Sequence, residues 1–207
     1  MTNRVAIVDH GQSNLNSIAR AIEECGGTPF VTDDPVQLRR TNRIVLPGVG
    51  AFPAAMAKLR SKGLVEALRE EVAQRPVPLL GICLGMQLLA EQSSEGGEHP
   101  GIGLIPGRVI KFTPPADERI PHMGWNEVRP VSDSFLFRGI APSTDFYFVH
   151  SYFLDCPEPN TVARTPYCGE FASAAASGSV MAVQFHPEKS QRAGFQLLRN
   201  FLAIQGC

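Results

Sequence analysis

Short apolar runs alternate with amphipathic stretches in the amino-terminal half of the chain. Each apolar run is too short for a buried helix, and the stretches between the runs repeat apolar residues at helical spacing. Strands that are apolar on both faces and alternate with helices are typical of a parallel sheet with helices on both sides. The pattern predicts strands over 5–8, 28–32, 43–46 and 78–82, and helices over 15–22 (capped by Asn14), 54–62, 64–74 and 84–92.

The pattern changes after about Glu95. Residues 96–190 are rich in Gly and Pro and contain short alternating segments at 108–112, 146–150 and 180–184, which are typical of antiparallel strands. An amphipathic helix is predicted over 191–202, and we expect 147–150 and 180–185 to rejoin the main sheet. Because no linker or repeat stands out, the sequence predicts one α/β domain over residues 1–207. Its central sheet is expected to be mostly parallel and flanked by helices, with an additional antiparallel strand section.

Composition and charge exclude several classes of protein. With 43% hydrophobic and 19% charged residues in 207, the chain is not generally disordered. A net charge of −1 lacks the basic excess of a nucleic-acid binder, and no apolar stretch reaches the ~20 residues of a transmembrane helix. The chain carries neither a G-x-G-x-x-G nor a G-x-x-x-x-G-K motif, so no nucleotide cofactor is expected.

The cysteines indicate a reducing environment. There are five, at irregular spacing and with no C-x-x-C pair, so we expect neither a metal site nor a redox pair. The first nine residues form a strand pattern and not a signal peptide. These features predict a cytoplasmic protein.

The segment 81–85 (GICLG) carries the sharpest chemical signal. It follows an apolar strand and precedes a helix, which is the context of a nucleophile elbow with Cys83 as the nucleophile. Amides at the start of a helix favour a thiolate and can hold an oxyanion. The alternative is that Cys83 is a small buried hydrophobic residue, which is the usual environment of a free cysteine.

A candidate base lies about a hundred residues later, where His186 follows the apolar run 180–183. Glu188 is two residues further on, so in an extended chain both side chains can lie on one face. A carboxylate there can orient the imidazole, as in a catalytic triad. Alone, His186 could be a structural histidine and Glu188 a charge at the start of a helix, but both together with the elbow favour catalysis.

Two further segments at strand ends are ambiguous. The turn 47–50 (PGVG) follows the third strand, and its unhindered amides could line an oxyanion site near Cys83 or simply connect a strand to a helix. His10 follows the first strand, where ligands of α/β sheets often bind, but it could equally be a turn residue.

These motifs resemble those of a known family. Segments 81–87 (GICLGMQ) and 186–188 (HPE) are similar to the class I, triad-type glutamine amidotransferases. Further segments resemble the glutaminase subunits of imidazole glycerol phosphate synthases within that family, and the resemblance runs from residue 4 to about residue 202. These segments are 7–15 (IVDHGQSNL), 46–52 (LPGVGAF), 121–126 (PHMGWN), 147–152 (YFVHSY) and 186–191 (HPEKSQ). The chain departs from the family pattern at His10, where Tyr is usual, and at Ser13, where Gly is usual.

The resemblance implies an activity and a set of site residues. The family hydrolyses glutamine to glutamate and ammonia through a thioester on the cysteine, with no cofactor, which assigns catalysis to Cys83, His186 and Glu188. The implied oxyanion donors are the amides of Leu84 and of Val49 or Gly50 in the glycine turn, which the family rearranges before it is active. The residues implied to contact glutamine are Gly50, Gln87, Ser151 and Tyr152.

The resemblance also implies a partner. In the family it is a cyclase subunit with a (β/α)₈-barrel fold, which takes up the ammonia through an internal channel in a heterodimer and makes imidazole glycerol phosphate in histidine biosynthesis. The residues expected at that interface are Met123, Trp125, Asn126 and Lys189. Trp125 is the only Trp in the chain, and Trp is enriched at interface hot spots, although ordinary core packing is the alternative.

Three other functions remain open from the sequence. The triad is shared with amidotransferase subunits that serve anthranilate, guanylate or carbamoyl phosphate synthesis, although 122–126 and 187–191 favour the imidazole glycerol phosphate enzyme. A stand-alone cysteine hydrolase would be fully active without a partner. A non-enzymatic interaction subunit would carry the elbow without needing His186 and Glu188.

Overall fold

The structure, a computed structural model, describes residues 3–75, 77–116, 118–131 and 133–204. These residues form thirteen strands and six α-helices. The strands are β1 (Arg4–Val8), β2 (Thr28–Thr32), β3 (Arg43–Gly48), β4 (Leu79–Cys83), β5 (Ala90–Ser93), β6 (His99–Pro100), β7 (Ile105–Lys111), β8 (His122–Pro130), β9 (Thr144–His150), β10 (Tyr152–Asp155), β11 (Thr161–Pro166), β12 (Glu170–Ser177) and β13 (Val180–Val183). The helices are α1 (Leu15–Glu24), α2 (Pro35–Leu38), α3 (Phe52–Ser61), α4 (Leu64–Gln74), α5 (Leu84–Leu88) and α6 (Gln191–Ala203).

Nine of the strands form one mixed sheet in the order β2-β1-β3-β4-β13-β12-β11-β8-β9. The first five are parallel to their neighbours, and from β13 onward each neighbouring pair is antiparallel. A second sheet has the order β10-β7-β5-β6. The large sheet therefore carries the expected antiparallel section as a direct continuation of its parallel half.

Alternation along the strands explains the layers. In β1, Val5 and Ile7 face a core shared with α1 and α6, whereas Ala6 and Val8 face a core shared with α3 and α4. All four side chains are fully buried. The small sheet packs on the α3 and α4 side through β5, β7 and β10. Strands that are covered on both faces must be apolar at every position, which is the pattern visible in the sequence.

The predicted α/β class is confirmed, and most predicted elements lie within a few residues of their expected ends. As expected, β9 and β13 belong to the large sheet, with β13 next to β4 and β9 at the edge. Asn14 lies at the N-cap position of α1, but its side chain makes no capping hydrogen bond. None of the helices within the described residues is long and apolar enough to cross a membrane.

The helix predicted over 84–92 is wrong in its second half. α5 ends at Leu88, and Ala90–Ser93 is the strand β5. The carbonyls of Leu88, Leu89 and Ala90 accept hydrogen bonds from amides of the 102–105 segment, so they are not free to continue a helix. Tertiary pairing therefore overrides a local pattern that fits a helix.

Candidate active site

Three neighbouring strands bring the candidate residues to one edge of the large sheet. β4 lies between β3 and β13, with Gly48 opposite Cys83 and Val183 opposite Ile82. Because parallel strands end at the same edge, the elbow, the glycine turn and the segment after β13 meet there. Residues that are far apart in sequence therefore surround a single space.

The elbow holds Cys83 in an unusual backbone conformation, with φ at +55° and ψ at −112°. A non-glycine residue with positive φ is strained, at a cost of about 1–3 kcal/mol. Glycine permits the tight turn that follows, since a Cβ on Gly85 would lie 1.7 Å from the carbonyl oxygen of Leu46. The sulfur is nearly buried, with Cys83 only 5% exposed, and its Sγ lies 3.9 Å from the carbonyl oxygen of Val149.

The imidazole of His186 is held by a buried carboxylate. His186 Nδ1 donates to Glu188 Oε1 at 2.8 Å, and the two side chains are 3% and 2% exposed. A one-turn 3₁₀ helix over Pro187–Lys189 places the carboxylate beneath the ring. Among the described residues, His186 Nε2 has no hydrogen-bond partner, and it faces the same cavity as Cys83. The ring therefore keeps one nitrogen for Glu188 and leaves the other toward the thiol.

Electrostatics favour the charged form of this imidazole. Burial by itself lowers the pKa of His186, but the nearby Cys83 sulfur and the Glu188 carboxylate outweigh it and raise that pKa to about 10. An imidazolium next to a cysteine stabilises the thiolate, which is the nucleophilic form of the sulfur. The arrangement can therefore supply a nucleophile and a proton donor together.

A cavity of about 320 Å³ opens above the sulfur. Eight residues predicted for the site line it: Val49, Gly50, Cys83, Leu84, Gln87, Ser151, Tyr152 and His186. Glu188 lies behind His186. A larger depression of about 730 Å³ lies against α6, and its lining contains neither a cysteine nor a histidine. Within the described residues, no group of three or more His, Cys, Asp or Glu side chains could hold a metal ion.

The glycine turn is tied to the segment after β1. The amide of Val49 donates to the carbonyl oxygen of Gln12 at 2.9 Å, so this predicted oxyanion donor is already engaged. His10 is fully buried, and its Nε2 donates to the carbonyl oxygen of Pro47 at 2.8 Å. The hydroxyl of Ser13 donates to that oxygen at 3.1 Å. The two departures from the family pattern therefore both contact the start of the glycine turn.

The four expected interface residues differ in exposure. Met123 and Trp125 are 62% and 49% exposed on the outer face of β8, and Lys189 lies 5.6 Å above the ring of Tyr147. Asn126, by contrast, is half-buried and turned inward, where its amide contacts His122 and the carbonyl oxygen of Pro166. Exposed aromatic and methionine side chains that lie next to each other are typical of a protein interface.

Comparison with known proteins identifies the family. The family model of the class-I glutamine amidotransferases matches residues 6–204. The chain belongs to this family. Imidazole glycerol phosphate synthase subunit HisH of Moorella thermoacetica is 51% identical over 95% of this chain and 93% of that relative. The subunit of the same name from Methanothermobacter thermautotrophicus is 48% identical, over 97% and 98%.

Solved structures share the fold of this amidotransferase at low sequence identity. A structure described as a glutamine amidotransferase has a TM-score of 0.76 at 21% identity and covers 96% of both chains. The PurLQS structure from Thermotoga maritima has a TM-score of 0.74 at 18% identity and covers 98% of both chains. Family membership confirms the resemblance seen in the sequence and makes the chain an enzyme of the glutamine amidotransferase class.

Four residues of the amidotransferase cavity were not predicted from the sequence: Glu95, Pro121, Val149 and His150. Glu95 follows β5, and its Oε2 accepts a hydrogen bond from the amide of Phe52 at 3.0 Å. That strand was expected to be a helix, so no local signal indicated its position. His150 ends an alternating strand, and its place at a strand end was the one feature that could have marked it.

Replacing Glu188 by Gln should lower the pKa of His186. The amide keeps a hydrogen-bond acceptor but removes the negative charge that favours the imidazolium. The titration of His186 can be followed by ¹⁵N NMR of the ring nitrogens. Glu158→Gln is the control, because Glu158 is an exposed partner of Arg164 and does not line the cavity. If the titration midpoint of His186 is the same in Glu188→Gln and wild type, the carboxylate does not set its charge.

Proposed function

We propose that this chain is the glutaminase subunit of imidazole glycerol phosphate synthase and hydrolyses glutamine to glutamate and ammonia for histidine biosynthesis. One observation carries the proposal: Cys83 and His186 line one small cavity, and the buried Glu188 holds the His186 ring from behind. The 42–51% identity to HisH subunits over nearly the whole chain favours this member of the family over other amidotransferase subunits.

Cys83, His186 and Glu188 carry the reaction. The Cys83 thiolate attacks the carboxamide carbon of glutamine, and the C–N bond breaks as His186 Nε2 gives its proton to the leaving ammonia. His186 then takes a proton from water, which attacks the thioester and releases glutamate and the thiolate. Glu188 holds the ring through Nδ1 during both steps, which the 2.8 Å hydrogen bond supports.

The oxyanion requires two amides. The amide of Leu84, directly after the nucleophile, is one donor, and the amide of Val49 or Gly50 is the other. The 2.9 Å hydrogen bond from Val49 to Gln12 supports a resting state in which that donor is withheld. Removing one donor costs about 10²–10³ in turnover, so an isolated subunit is a weak enzyme.

The substrate is bound by four residues that line the cavity together, which supports this role: Gly50, Gln87, Ser151 and Tyr152. Gln87 is one turn along α5 from the nucleophile and is only 4% exposed. Its amide donates to the carbonyl oxygen of Tyr152 at 2.8 Å, which ties the helix to the segment that contacts glutamine.

The ammonia passes to a partner subunit, a cyclase with a (β/α)₈-barrel fold. Ammonia becomes unreactive ammonium in water near neutral pH, so transfer through a protein interior keeps it nucleophilic. The interface contains Met123, Trp125 and Lys189, supported by the exposed apolar pair on β8. Asn126 adjoins it through its place next to Trp125 on β8, with its side chain turned inward. The heterodimer is cytoplasmic, and the glutaminase chain forms one domain.

Cys83→Ala should abolish glutamine-dependent product, by at least about 10⁴-fold, because no other group replaces the nucleophile. Product formed from added ammonia in the presence of the cyclase should be unchanged. Both rates are measured in the reconstituted complex. Cys156→Ala is the control, since Cys156 is half-buried and does not line the cavity. Glutaminase turnover that persists in Cys83→Ala would overturn the assignment of the nucleophile.

Glutaminase activity should rise about 10²-fold when the cyclase and its nucleotide ligand bind, since this is the contribution of one oxyanion donor. The reason is that the amide of Val49 must leave the Gln12 carbonyl before it can serve the oxyanion. Steady-state glutamate release is compared for the subunit alone, with nucleotide alone, and with cyclase plus nucleotide. Equal rates in all three samples would contradict the withheld-donor state.

Trp125→Ala should weaken association with the cyclase by about 2 kcal/mol or more, as expected of an exposed aromatic hot spot. The free energy of unfolding should fall by less than this, by about 1 kcal/mol, because half of the side chain is already exposed. Calorimetry measures the dissociation constant and urea unfolding the stability. Val36→Ala, an exposed apolar residue on α2, is the control. An unchanged dissociation constant for Trp125→Ala would place the interface elsewhere.

A further inference from the structure

Two buried histidines, of which His150 also lines the cavity, take no part in the mechanism above. His122 on β8 and His150 on β9 are cross-strand partners, 3% and 6% exposed. His122 stacks on the ring of Tyr167 with 3.9 Å between centroids and on Phe148 with 4.7 Å. Such an aromatic enclosure holds both rings in place and excludes water from them.

The hydrogen bonds around these rings have only one consistent direction. The carbonyl oxygen of Tyr152 can only accept, so His150 Nδ1 carries the hydrogen in their 2.8 Å contact. In a neutral ring His150 Nε2 is then an acceptor, and His122 Nδ1, 3.0 Å away, must donate to it. His122 Nε2 is left as an acceptor for the amide of Asn126 at 3.1 Å.

The orientation of Asn126 agrees with this direction. Asn126 Oδ1 accepts from the amide of Glu127 at 2.8 Å, and Nδ2 also donates to the carbonyl oxygen of Pro166 at 3.0 Å. The nitrogen end therefore faces His122 for reasons independent of the histidines. Every polar atom from Asn126 to the Tyr152 carbonyl then has a partner with the correct role.

Both rings are neutral at physiological pH. Burial is the main cause that lowers the pKa of His150 to about 3. The Tyr152 carbonyl opposes this shift, and the neighbouring His122 and His186 add to it. Burial also lowers the pKa of His122 to about 4, although Glu118 opposes the shift. A neutral pair is the condition under which the direction of the hydrogen bonds is determined.

The other end of this series reaches the candidate substrate site. The Tyr152 carbonyl also accepts from Gln87 Nε2 at 2.8 Å, and the same nitrogen donates to Gln184 Oε1 at 3.1 Å. Both hydrogens of the Gln87 amide are thus used, which leaves Gln87 Oε1 as the atom that this side chain can offer to a ligand in the cavity. Gln184 Nε2 in turn lies 3.8 Å from the Cys83 sulfur.

We propose that Asn126, His122 and His150 are positioning residues: their one-way series of hydrogen bonds holds the Tyr152 carbonyl and so presents the oxygen end of Gln87 to the substrate. That the substrate is glutamine rests on the proposed function. If His150 held its hydrogen on Nε2, two acceptor atoms would face each other at 2.8 Å and the carbonyl would have to move. An oxygen at this position accepts from N–H groups, which glutamine carries in its carboxamide and its ammonium group.

The position of the ring protons tests the series directly. In the wild-type chain labelled with ¹⁵N-histidine, long-range ¹H–¹⁵N correlation spectra distinguish the two neutral forms of each ring and the imidazolium. Single His→Asn replacements assign the signals. We expect both His122 and His150 to carry their proton on Nδ1 at pH 7. A proton on Nε2 of either ring, or a charged ring, would overturn the inference whatever the activity of the enzyme.

Asn126→Asp tests the link to the substrate. A carboxylate only accepts, so we expect the neutral His122 ring to carry its proton on Nε2 instead of Nδ1. His122 Nδ1 then becomes an acceptor for a hydrogen on His150 Nε2, which leaves His150 Nδ1 without a hydrogen facing the Tyr152 carbonyl. Asn160→Asp is the matched control, because Asn160 is also half-buried and its Nδ2 donates to a main-chain oxygen, that of Ala176, at 2.9 Å. In the complex, with the cyclase saturating, Asn126→Asp should raise the KM for glutamine about tenfold, equal to 1.4 kcal/mol, with a smaller change in kcat. Asn160→Asp should match wild type.

The outcomes separate this inference from the proposed function. Nδ1 protons on both rings with an unchanged KM in Asn126→Asp would refute the link to Gln87. If Asn126→Asp does not fold, Asn126→Ala removes the same donor without adding charge and must raise KM in the same way. A wild-type complex without glutaminase activity would refute the proposed function, and the NMR measurement would still decide the direction of the hydrogen bonds.

Discussion

The pairing of β4 with a parallel strand on each side is the constraint on which the site depends. β3 and β13 place their carboxyl ends beside that of β4. The glycine turn and the His186 segment lie at or directly after the ends of these strands and therefore lie next to Cys83. The chain must turn sharply after Cys83, and it does so where Gly85 touches the Leu46 carbonyl. The strained conformation of the nucleophile is therefore maintained by the central part of the sheet, where every residue of β3 and β4 is buried.

The buried pair of His186 and Glu188 has a cost that the fold has to offset. Two charges that are removed from water lose their hydration. Removing one partner of such a pair leaves the other charge buried and uncompensated, which destabilises the fold by about 3–5 kcal/mol. The Cys83 sulfur and the Glu188 carboxylate hold the folded pKa of His186 above that of the unfolded chain, so the protonated ring contributes its full share of stability below about pH 6.5. This contribution disappears as the pH rises through the folded value near 10. The protonated His186 ring, which is needed for catalysis, thus also stabilises the fold near neutral pH.

Much of this architecture follows from local pattern, and the exceptions have physical causes. The elbow, the His186–Glu188 spacing and the strands β1 to β4 were predicted because each is encoded within a few residues. The end of α5 was not, because amides near 102–105 take up its carbonyls. The same limit applies to Gln184 beside the sulfur and to His150 behind Gln87, since their roles arise only when β13 and β9 join the sheet. The Val49 amide is a further example of this limit. The glycine turn was predicted from its own residues, whereas the hydrogen bond from Val49 to Gln12 depends on how the segment after β1 packs against that turn.

The near-complete burial of Cys83 has a consequence for oxidative chemistry. The other cysteines that the structure describes, Cys25, Cys156 and Cys168, are half-buried thiols whose pKa is raised by burial, so they remain protonated and slow to react. The reactive sulfur is instead screened by its own pocket walls. Peroxide-type damage requires access to the sulfur, and in the described part of this protein Cys83 is reached only by a molecule small enough to enter that pocket. The walls that shape the substrate cavity thus keep larger oxidants away from the sulfur, whereas hydrogen peroxide is small enough to enter.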